Sequence, residues 1–155
     1  IKHFAANNQE TNRSDNNSIV SERAMREIYL KGFEICIRMA QPKALMTSYN
    51  LLNGIHTSER RDLLEDVLRC EFGFDGIVMT DWVIGSGILN DGAKYVSPEA
   101  YKVALAGNDL FMPGSQREVD NLTEALADGR ISREQLQKNA TRVYRMELEL
   151  NGSSD

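Results

Sequence analysis

Short apolar segments alternate along the chain with longer segments in which apolar residues recur every three or four positions. Continuous apolar runs are typical of strands buried on both faces, whereas the three- and four-residue recurrence is typical of amphipathic helices. We therefore expect strands over residues 1–5, 44–49, 76–81 and 109–112, each followed by a helix. One further helix is expected at the C-terminal end.

The first two predicted helices have clear boundaries. Ser21 can cap the first helix, and Pro42 ends it because proline cannot continue a helix. Its expected buried stripe consists of Met25, Ile28, Tyr29, Phe33, Cys36, Ile37 and Ala40. The second helix is expected over 60–71, with Gly73 as its C-terminal stop. The residues expected to face inward on it are Leu64, Val67 and Leu68.

The later helices carry similar signals. The run 97–99 (Ser-Pro-Glu) places a capping residue, a proline and an acid at the start of the third helix, which we expect to end at Gly107. The fourth helix is expected over 118–127. Ser132 and Gln135 form a capping box that opens the last helix.

Strands that alternate with helices predict an α/β fold with a parallel sheet and right-handed crossovers. A closed barrel of eight such units needs about 250 residues. Four β/α units therefore correspond to half of a TIM-type (β/α)8 barrel, to which the terminal helix is added. We assign this partial barrel to residues 1–150 and expect a disordered tail over 151–155. A polar stretch over 7–18 and a glycine-rich stretch over 82–96 are predicted to be surface loops.

The chain begins inside a predicted strand and has no initiator methionine. We therefore expect it to be a fragment, and its start predicts no cellular location.

Composition narrows the classes of partner and cofactor. The formal net charge is -5, which argues against nucleic acid or an anionic membrane as the main partner, because phosphate binding needs clustered cations. No apolar run approaches the roughly 20 residues that span a bilayer. Cys36 and Cys70 do not form a disulfide framework. The acidic residues lack metal-ligand spacing and the 85–87 run lacks the phosphate-loop pattern, so we expect no metal and no cofactor.

Candidate chemistry lies at the C-terminal ends of the predicted strands, where barrel proteins place their function. A lysine and a histidine there can hold sugar hydroxyls, a phenol can steady a carboxylate, and an indole can stack on a pyranose ring. Asp81 is the single carboxylate that ends a buried strand. The residues at the four strand ends are Lys2-His3, Ser48-Tyr49-Asn50, Thr80-Asp81-Trp82 and Met112-Pro113-Gly114.

Several motifs, in order and over nearly the whole chain, resemble the catalytic barrel of glycoside hydrolase family 3. The matching stretches are residues 2–13 (KHFAANNQETNR), 21–30, 46–54 (MTSYN and then NG), 73–82 (GFDG and then VMTDW), and 106–114 (AGND and then MPG). The resemblance implies the C-terminal half of the N-terminal barrel domain of a β-glucosidase-like enzyme.

The resemblance also implies a role for each matching residue. Asp81 corresponds to the nucleophile, and Lys2 and His3 correspond to a pair that binds hydroxyls of the sugar next to the scissile bond. Arg13 corresponds to an arginine that contacts the same sugar. The remaining matches are Tyr49 near the nucleophile, and Met46 and Trp82 in the pocket wall. The nearby cations and the phenol would keep the nucleophile ionised.

One difference from a branch of the family indicates which branch the chain resembles. Ala5-Ala6 stands where the N-acetylglucosaminidase branch has Pro-Gly, so the chain resembles the β-glucosidase and β-xylosidase branch. A β-linked oligosaccharide or glucoside is the implied substrate. In this family the acid/base glutamate lies on a separate domain, so we expect the chain alone to have little activity. We also expect self-association through the open edges of a half-barrel.

Two alternatives stay open at this point. A lysine at a barrel strand end can form a Schiff base, as in aldolases, and Lys2 would be that residue. The chain would otherwise be a structural fragment without catalysis of its own.

Overall fold

The computed structural model describes residues 1–84 and 94–152. The strands in these ranges are short: β1 (Asn17–Ser18), β2 (Ala44–Met46), β3 (Leu51–Leu52), β4 (Ile55–His56) and β5 (Ile77–Met79). The α-helices are α1 (Glu22–Ala24), α2 (Lys31–Ala40), α3 (Ala100–Ala106), α4 (Gln116–Ala127) and α5 (Arg133–Asn151). Two segments are π-helical, Met25–Tyr29 and Asp62–Glu71, and two are 3₁₀ turns, Arg13–Asp15 and Thr57–Glu59.

Four segments lie side by side in parallel, in chain order. β2 pairs with β5, with Met46 opposite Met79. Parallel bridges extend this pair on both sides, from Phe4 to Thr47 and from Met79 to Leu110. The predicted α/β class and parallel arrangement are therefore confirmed. The first and last predicted strands are reduced to single bridges, at Phe4 and Leu110.

Helices cover one face of this parallel sheet. Phe4, Leu45 and Val78 belong to one buried cluster together with side chains of the helices, and the rings of Phe4 and Phe33 meet edge to face at 4.9 Å. The helix residues in this cluster include Ile37, Leu63, Leu64, Val67 and Leu68. Side chains alternate along a strand, so the neighbouring residues face the other way. We call this opposite side the inner face; it carries His3, Met46, Met79 and Asp81.

The first predicted helix differs from expectation because it contains a π-helical turn. The Leu30 N–H bonds the Met25 carbonyl, five residues earlier, at 2.9 Å. A π turn holds one residue more than an α turn, so the buried positions shift. Leu30 is buried, whereas Ile28 and Ala40, which the stripe of three- and four-residue steps placed inward, are exposed. The second helix buries Leu64, Val67 and Leu68 as predicted.

A second, smaller sheet was not predicted. β1 runs parallel to β3, and β3 forms a hairpin with β4. Asn53 and Gly54 make the connection, with φ of 52° and 89°, as two-residue hairpins require. The sequence predicts a loop over residues 7–18, because two-residue strands are too short to give an alternating pattern.

The ends of the later helices are partly as expected. α3 begins at Ala100 and not at Ser97, because Glu99 is extended and its N–H donates to the Glu59 carboxylate at 2.9 Å. The Ser132 side chain accepts from the Gln135 N–H and caps α5, as predicted.

Parts of two predicted segments lie outside the described residues: 85–93 of the glycine-rich loop, and 153–155 of the predicted tail, which α5 reaches at Asn151. None of the helices in the described part combines the length and apolarity that a membrane crossing needs.

Candidate active site

Asp81 directly follows the strand segment that carries β5, on the inner face. Its residue surface is 8% exposed, and its Oδ1 accepts the Trp82 N–H at 2.7 Å. Thr80 points to the other side, where it is fully buried and its Oγ1 accepts the Met112 N–H at 2.9 Å. The Thr80 N–H also donates to the Leu110 carbonyl. The neighbouring segment therefore holds the end of this strand, and this fixes the main-chain position from which the Asp81 side chain extends.

His3 lies next to Asp81 across the inner face. The His3 Nε2 is 3.5 Å from the Asp81 Oδ2, and the imidazole remains about one-third exposed. The neighbouring Phe4 bonds β2 through both its N–H and its carbonyl, to Met46 and Ser48. This pairing directs Phe4 toward the helices and therefore His3 toward the carboxylate.

Tyr49 follows β2 and approaches the same carboxylate. Its hydroxyl donates to the Trp82 carbonyl at 2.7 Å. Burial of the phenol raises the pKa of Tyr49, the negative charge of Asp81 raises it further, and the Arg13 cation partly opposes both. Because the pKa is raised, the phenol keeps its proton and remains a hydrogen-bond donor beside the carboxylate.

Arg13 reaches the site from the loop after the first segment. Its guanidinium lies 4.6 Å from the centroid of the Tyr49 ring. Its Nη1 also donates to the Glu10 Oε2 at 2.9 Å, and the Asn7 amide donates to the other oxygen of Glu10 at 3.1 Å. Glu10 had no role in the sequence prediction, although an acid three residues before an arginine is a recognisable pair.

The other three predicted site residues are arranged more loosely. Trp82 is 51% exposed and shares main-chain contacts with Asp81 and Tyr49. Met46 lies half-buried on the inner face, opposite Met79 in the register of β2 and β5. Lys2 is exposed, and within residues 1–84 and 94–152 its side chain has neither a hydrogen bond nor an ion pair. The structure thus brings Asp81, His3, Tyr49 and Arg13 together with Trp82, and leaves Lys2 at the rim.

This arrangement can act on a neutral polar molecule. One carboxylate stands among an imidazole, a phenol, a guanidinium and an indole, which together offer hydrogen-bond donors and an aromatic surface. Within the described ranges, no group of three or more His, Cys, Asp or Glu side chains could hold a metal ion.

Comparison with known proteins finds relatives that match most of this chain. The chain is 45% identical to a β-glucosidase of Ruminococcus albus over 145 residues, which are 92% of this chain and 15% of that protein. It is 44% identical to an exo-alpha-(1->6)-L-arabinopyranosidase of Bifidobacterium longum, over 90% of this chain and 17% of that protein. The chain therefore spans about a sixth of the length of these relatives.

A solved structure shows the same fold. β-Glucosidase 3B of Thermotoga neapolitana, in complex with glycerol, superimposes with a TM-score of 0.83 at 41% identity, over 95% of this chain and 20% of that one. The family model for the N-terminal domain of glycosyl hydrolase family 3 matches residues 1–146. The chain belongs to glycosyl hydrolase family 3, and its matched residues fall in the N-terminal domain of that family.

Proposed function

We propose that this chain supplies the nucleophile and part of the sugar-binding site of a retaining β-glycosidase that cleaves β-glucoside-type bonds. Asp81 is the nucleophile. The observation that carries the proposal is the position of Asp81: a nearly buried carboxylate at the end of a parallel strand, 3.5 Å from His3 and beside Tyr49. Relatives named β-glucosidase over the same residues support it.

The chemistry asks two things of Asp81. In the first step its carboxylate bonds to the anomeric carbon while the aglycone leaves with a proton from an acidic carboxyl group. In the second step water, deprotonated by that same group, displaces the carboxylate and releases the sugar with its original configuration. Asp81 must therefore be ionised, and the oxocarbenium-like transition states gain from its negative charge.

The surrounding side chains hold the sugar. His3, Lys2 and Arg13 donate hydrogen bonds to its hydroxyl groups. The exposed indole of Trp82 offers a face for pyranose stacking, and Met46 closes the apolar side of the pocket. Since Arg13 stacks on Tyr49, the cation and the phenol occupy fixed positions relative to one another.

The four parallel segments form half of an eight-stranded barrel in this proposal. A retaining enzyme needs its acid/base carboxyl about 5 Å from the nucleophile, and the family resemblance assigns that group to a different domain. The 155-residue chain alone is therefore expected to turn over little or no substrate. Turnover of a nitrophenyl β-glucoside by the pure chain, abolished in Asp81→Ala, would contradict this.

The identity of the sugar is less narrowly defined than the mechanism. A relative of 44% identity is named for an arabinopyranosidase activity, so a barrel segment of this similarity is compatible with more than one sugar. The Schiff-base alternative finds no support, because Lys2 is exposed and such a lysine must be desolvated to act as a neutral amine.

The test is covalent trapping in a chimera. The matching 145 residues of the R. albus β-glucosidase are replaced by those of this chain, and the active chimera is treated with a 2-fluoro-β-glucoside. We expect the label on the peptide that contains Asp81, and none in Asp81→Ala. Asp75→Ala, an exposed aspartate before β5, is the matched control and should be labelled normally. A label on another carboxylate would refute the assignment.

A further inference from the structure

Asn50 is fully buried and comes directly after Tyr49, yet the proposed chemistry gives it no part. Its Nδ2 group faces four acceptors from three segments of the chain. They are the carbonyls of Ala5 (3.3 Å), Ala6 (3.3 Å) and Leu51 (3.1 Å), and the Ser18 hydroxyl (3.3 Å). The amide has two N–H donors for these four acceptors, which together set its orientation.

The Ala5 and Ala6 carbonyls need such a donor. Main-chain pairing with β2 and its continuation ends at Phe4, whose carbonyl accepts the Ser48 N–H at 2.9 Å. Ala5 and Ala6 are nevertheless buried, and Ala6 has a φ of 59°, which is unfavourable for a residue with a Cβ. Unpaired buried carbonyls are costly as well, so this turn forms only where side chains satisfy it.

Two hydroxyl groups complete the arrangement. Ser48 Oγ donates to the Ala5 carbonyl at 3.2 Å, and Ser18 Oγ donates to the Ala6 carbonyl at 2.8 Å. We call Asn50, Ser48 and Ser18 the turn clamp. Asn50 is its centre, because its amide also reaches the Ser18 hydroxyl.

The turn clamp lies between two groups of the active site. His3 precedes the clamped turn by two residues, and the loop that carries Arg13 follows it. Tyr49 is the residue before Asn50, so one strand end delivers a phenol to the site and an amide to the turn. The position of His3 and Arg13 relative to Asp81 and Tyr49 therefore depends on whether the turn is held.

We infer that Asn50 is a positioning residue, which sets His3 and the Arg13 loop against Asp81 through hydrogen bonds to the Ala5 and Ala6 carbonyls. Its relevance to catalysis rests on the proposed function. The effect of Asn50 on the position of His3 does not depend on that function, and it can be measured in the chain itself.

The experiment uses the His3 imidazole as the reporter. The chain contains two histidines, so the His3 ring signals are identified in NMR spectra by their persistence in His56→Gln. In the wild-type background, Asp81→Asn should shift the His3 ring resonances, because the carboxylate lies 3.5 Å away. In the Asn50→Asp background the same change should shift them at least about threefold less, since an aspartate cannot donate and repels the carbonyls.

Asn139 provides the matched control. It is also buried, and its amide donates to two main-chain carbonyls, those of Ala104 (2.8 Å) and Asn108 (3.0 Å), away from the site. Asn139→Asp loses bonds of the same kind and should leave the His3 response to Asp81→Asn intact. An equal loss in both backgrounds, or an unchanged response in Asn50→Asp, would overturn the inference.

A milder variant decides the matter if Asn50→Asp does not fold. Ser18→Ala removes one donor to Ala6 and one acceptor of the Asn50 amide, and should weaken the His3 response partly. A full response in Ser18→Ala would then count against the turn clamp.

The catalytic consequence is measured in the chimera. Asn50→Asp should lower kcat/KM on the order of 10²-fold, as misplacement of binding groups does, whereas Asn139→Asp should not, at matched melting temperatures. A chimera labelled away from Asp81 would refute the proposed function and leave the NMR result standing. Normal kcat/KM in Asn50→Asp would refute the positioning role even if labelling succeeds.

Discussion

Asp109 and Arg69 form a buried ion pair, in which Asp109 Oδ2 lies 2.7 Å from Arg69 Nη2 and the aspartate side chain has no exposed surface. The same carboxylate accepts the Val78 N–H at 2.8 Å and pairs with Arg142 of α5 at 3.1 Å. One side chain thus joins the Asp62–Glu71 helix, the strand that leads to Asp81, and the C-terminal helix.

Loss of this charge should destabilise the fold strongly. Asp109→Asn removes the nearer counter-charge of the buried Arg69 guanidinium and leaves Glu65, whose Oε1 lies 3.7 Å from Arg69 Nε. Breaking a buried pair costs about 3–5 kcal/mol, and the remaining Glu65 contact places the expected loss near the lower end of this range. Urea denaturation followed by circular dichroism measures the change. Asp128→Asn, whose partner Arg130 is exposed to solvent, should change the stability very little. If both substitutions changed the free energy of unfolding by a similar small amount, the predicted stabilising role of the buried pair would be wrong.

Two glycines with left-handed backbone allow a matched comparison. Gly107 ends α3 with a φ of 111°, and a Cβ there would lie 2.6 Å from the Glu65 Oε1; Gly129 has a φ of 83° and open space around it. Gly129→Ala should cost about 1–2 kcal/mol through backbone strain alone. Gly107→Ala should cost about 1.5–3 kcal/mol more, because Glu65 must move from Arg142, which it bonds at 2.9 Å. Equal losses in denaturant titrations would contradict the predicted clash.

The Tyr49 phenol should report the charge of the Asp81 carboxylate. Burial and the Asp81 carboxylate raise its pKa above 10.0, so removal of the charge in Asp81→Asn should lower the pKa, while burial keeps it elevated. Arg13→Gln should raise it, because the cation opposes the shift. NMR titration with ring-labelled tyrosine, assigned through Tyr49→Phe, measures these changes. An unchanged pKa of Tyr49 in Asp81→Asn would show that the charge of Asp81 does not act on the phenol, and would contradict this prediction.

The raised pKa of Tyr49 also makes the stability of the fold depend on pH. A phenol whose pKa is raised on folding favours the folded state below the pKa of the unfolded chain. This contribution is lost as the pH rises from about 10 through the folded pKa. Tyr49→Phe should therefore flatten the loss of stability above pH 10, whereas the exposed control Tyr144→Phe should not.

We also propose that the chain self-associates, with two copies covering each other. The inner face is only half-buried at Met46 and Met79, and α2 exposes Ile35 and Met39, one helical turn apart. Sedimentation velocity should show a concentration-dependent dimer, weakened by Met79→Lys on the inner face and by Ile35→Lys/Met39→Lys on α2. Val119→Lys, an exposed apolar position on α4, is the control and should leave the dimer unchanged. A sharp monomer peak without binding of a hydrophobic dye would contradict the proposal.

The sequence by itself determined the order of the elements and the chemistry at the strand ends. Apolar runs marked the segments that carry β2 and β5, and parallel strands place their C-terminal ends at one edge. Motifs in fixed order then singled out Asp81, His3 and Tyr49 as candidate site residues. These signals are local, since each lies within a few consecutive residues.

Only the tertiary structure decided which distant groups satisfy one another. The π-helical turn, which buries Leu30 instead of Ile28, reflects packing of the helix against the sheet. The strands of the hairpin at Asn53 are too short to leave an alternating pattern in the sequence. The Asn50 amide meets carbonyls 44 and 45 residues away, and Arg69 meets Asp109 at a separation of 40. Buried polar groups must find partners wherever the fold brings them, and residue type alone does not encode which partner that is.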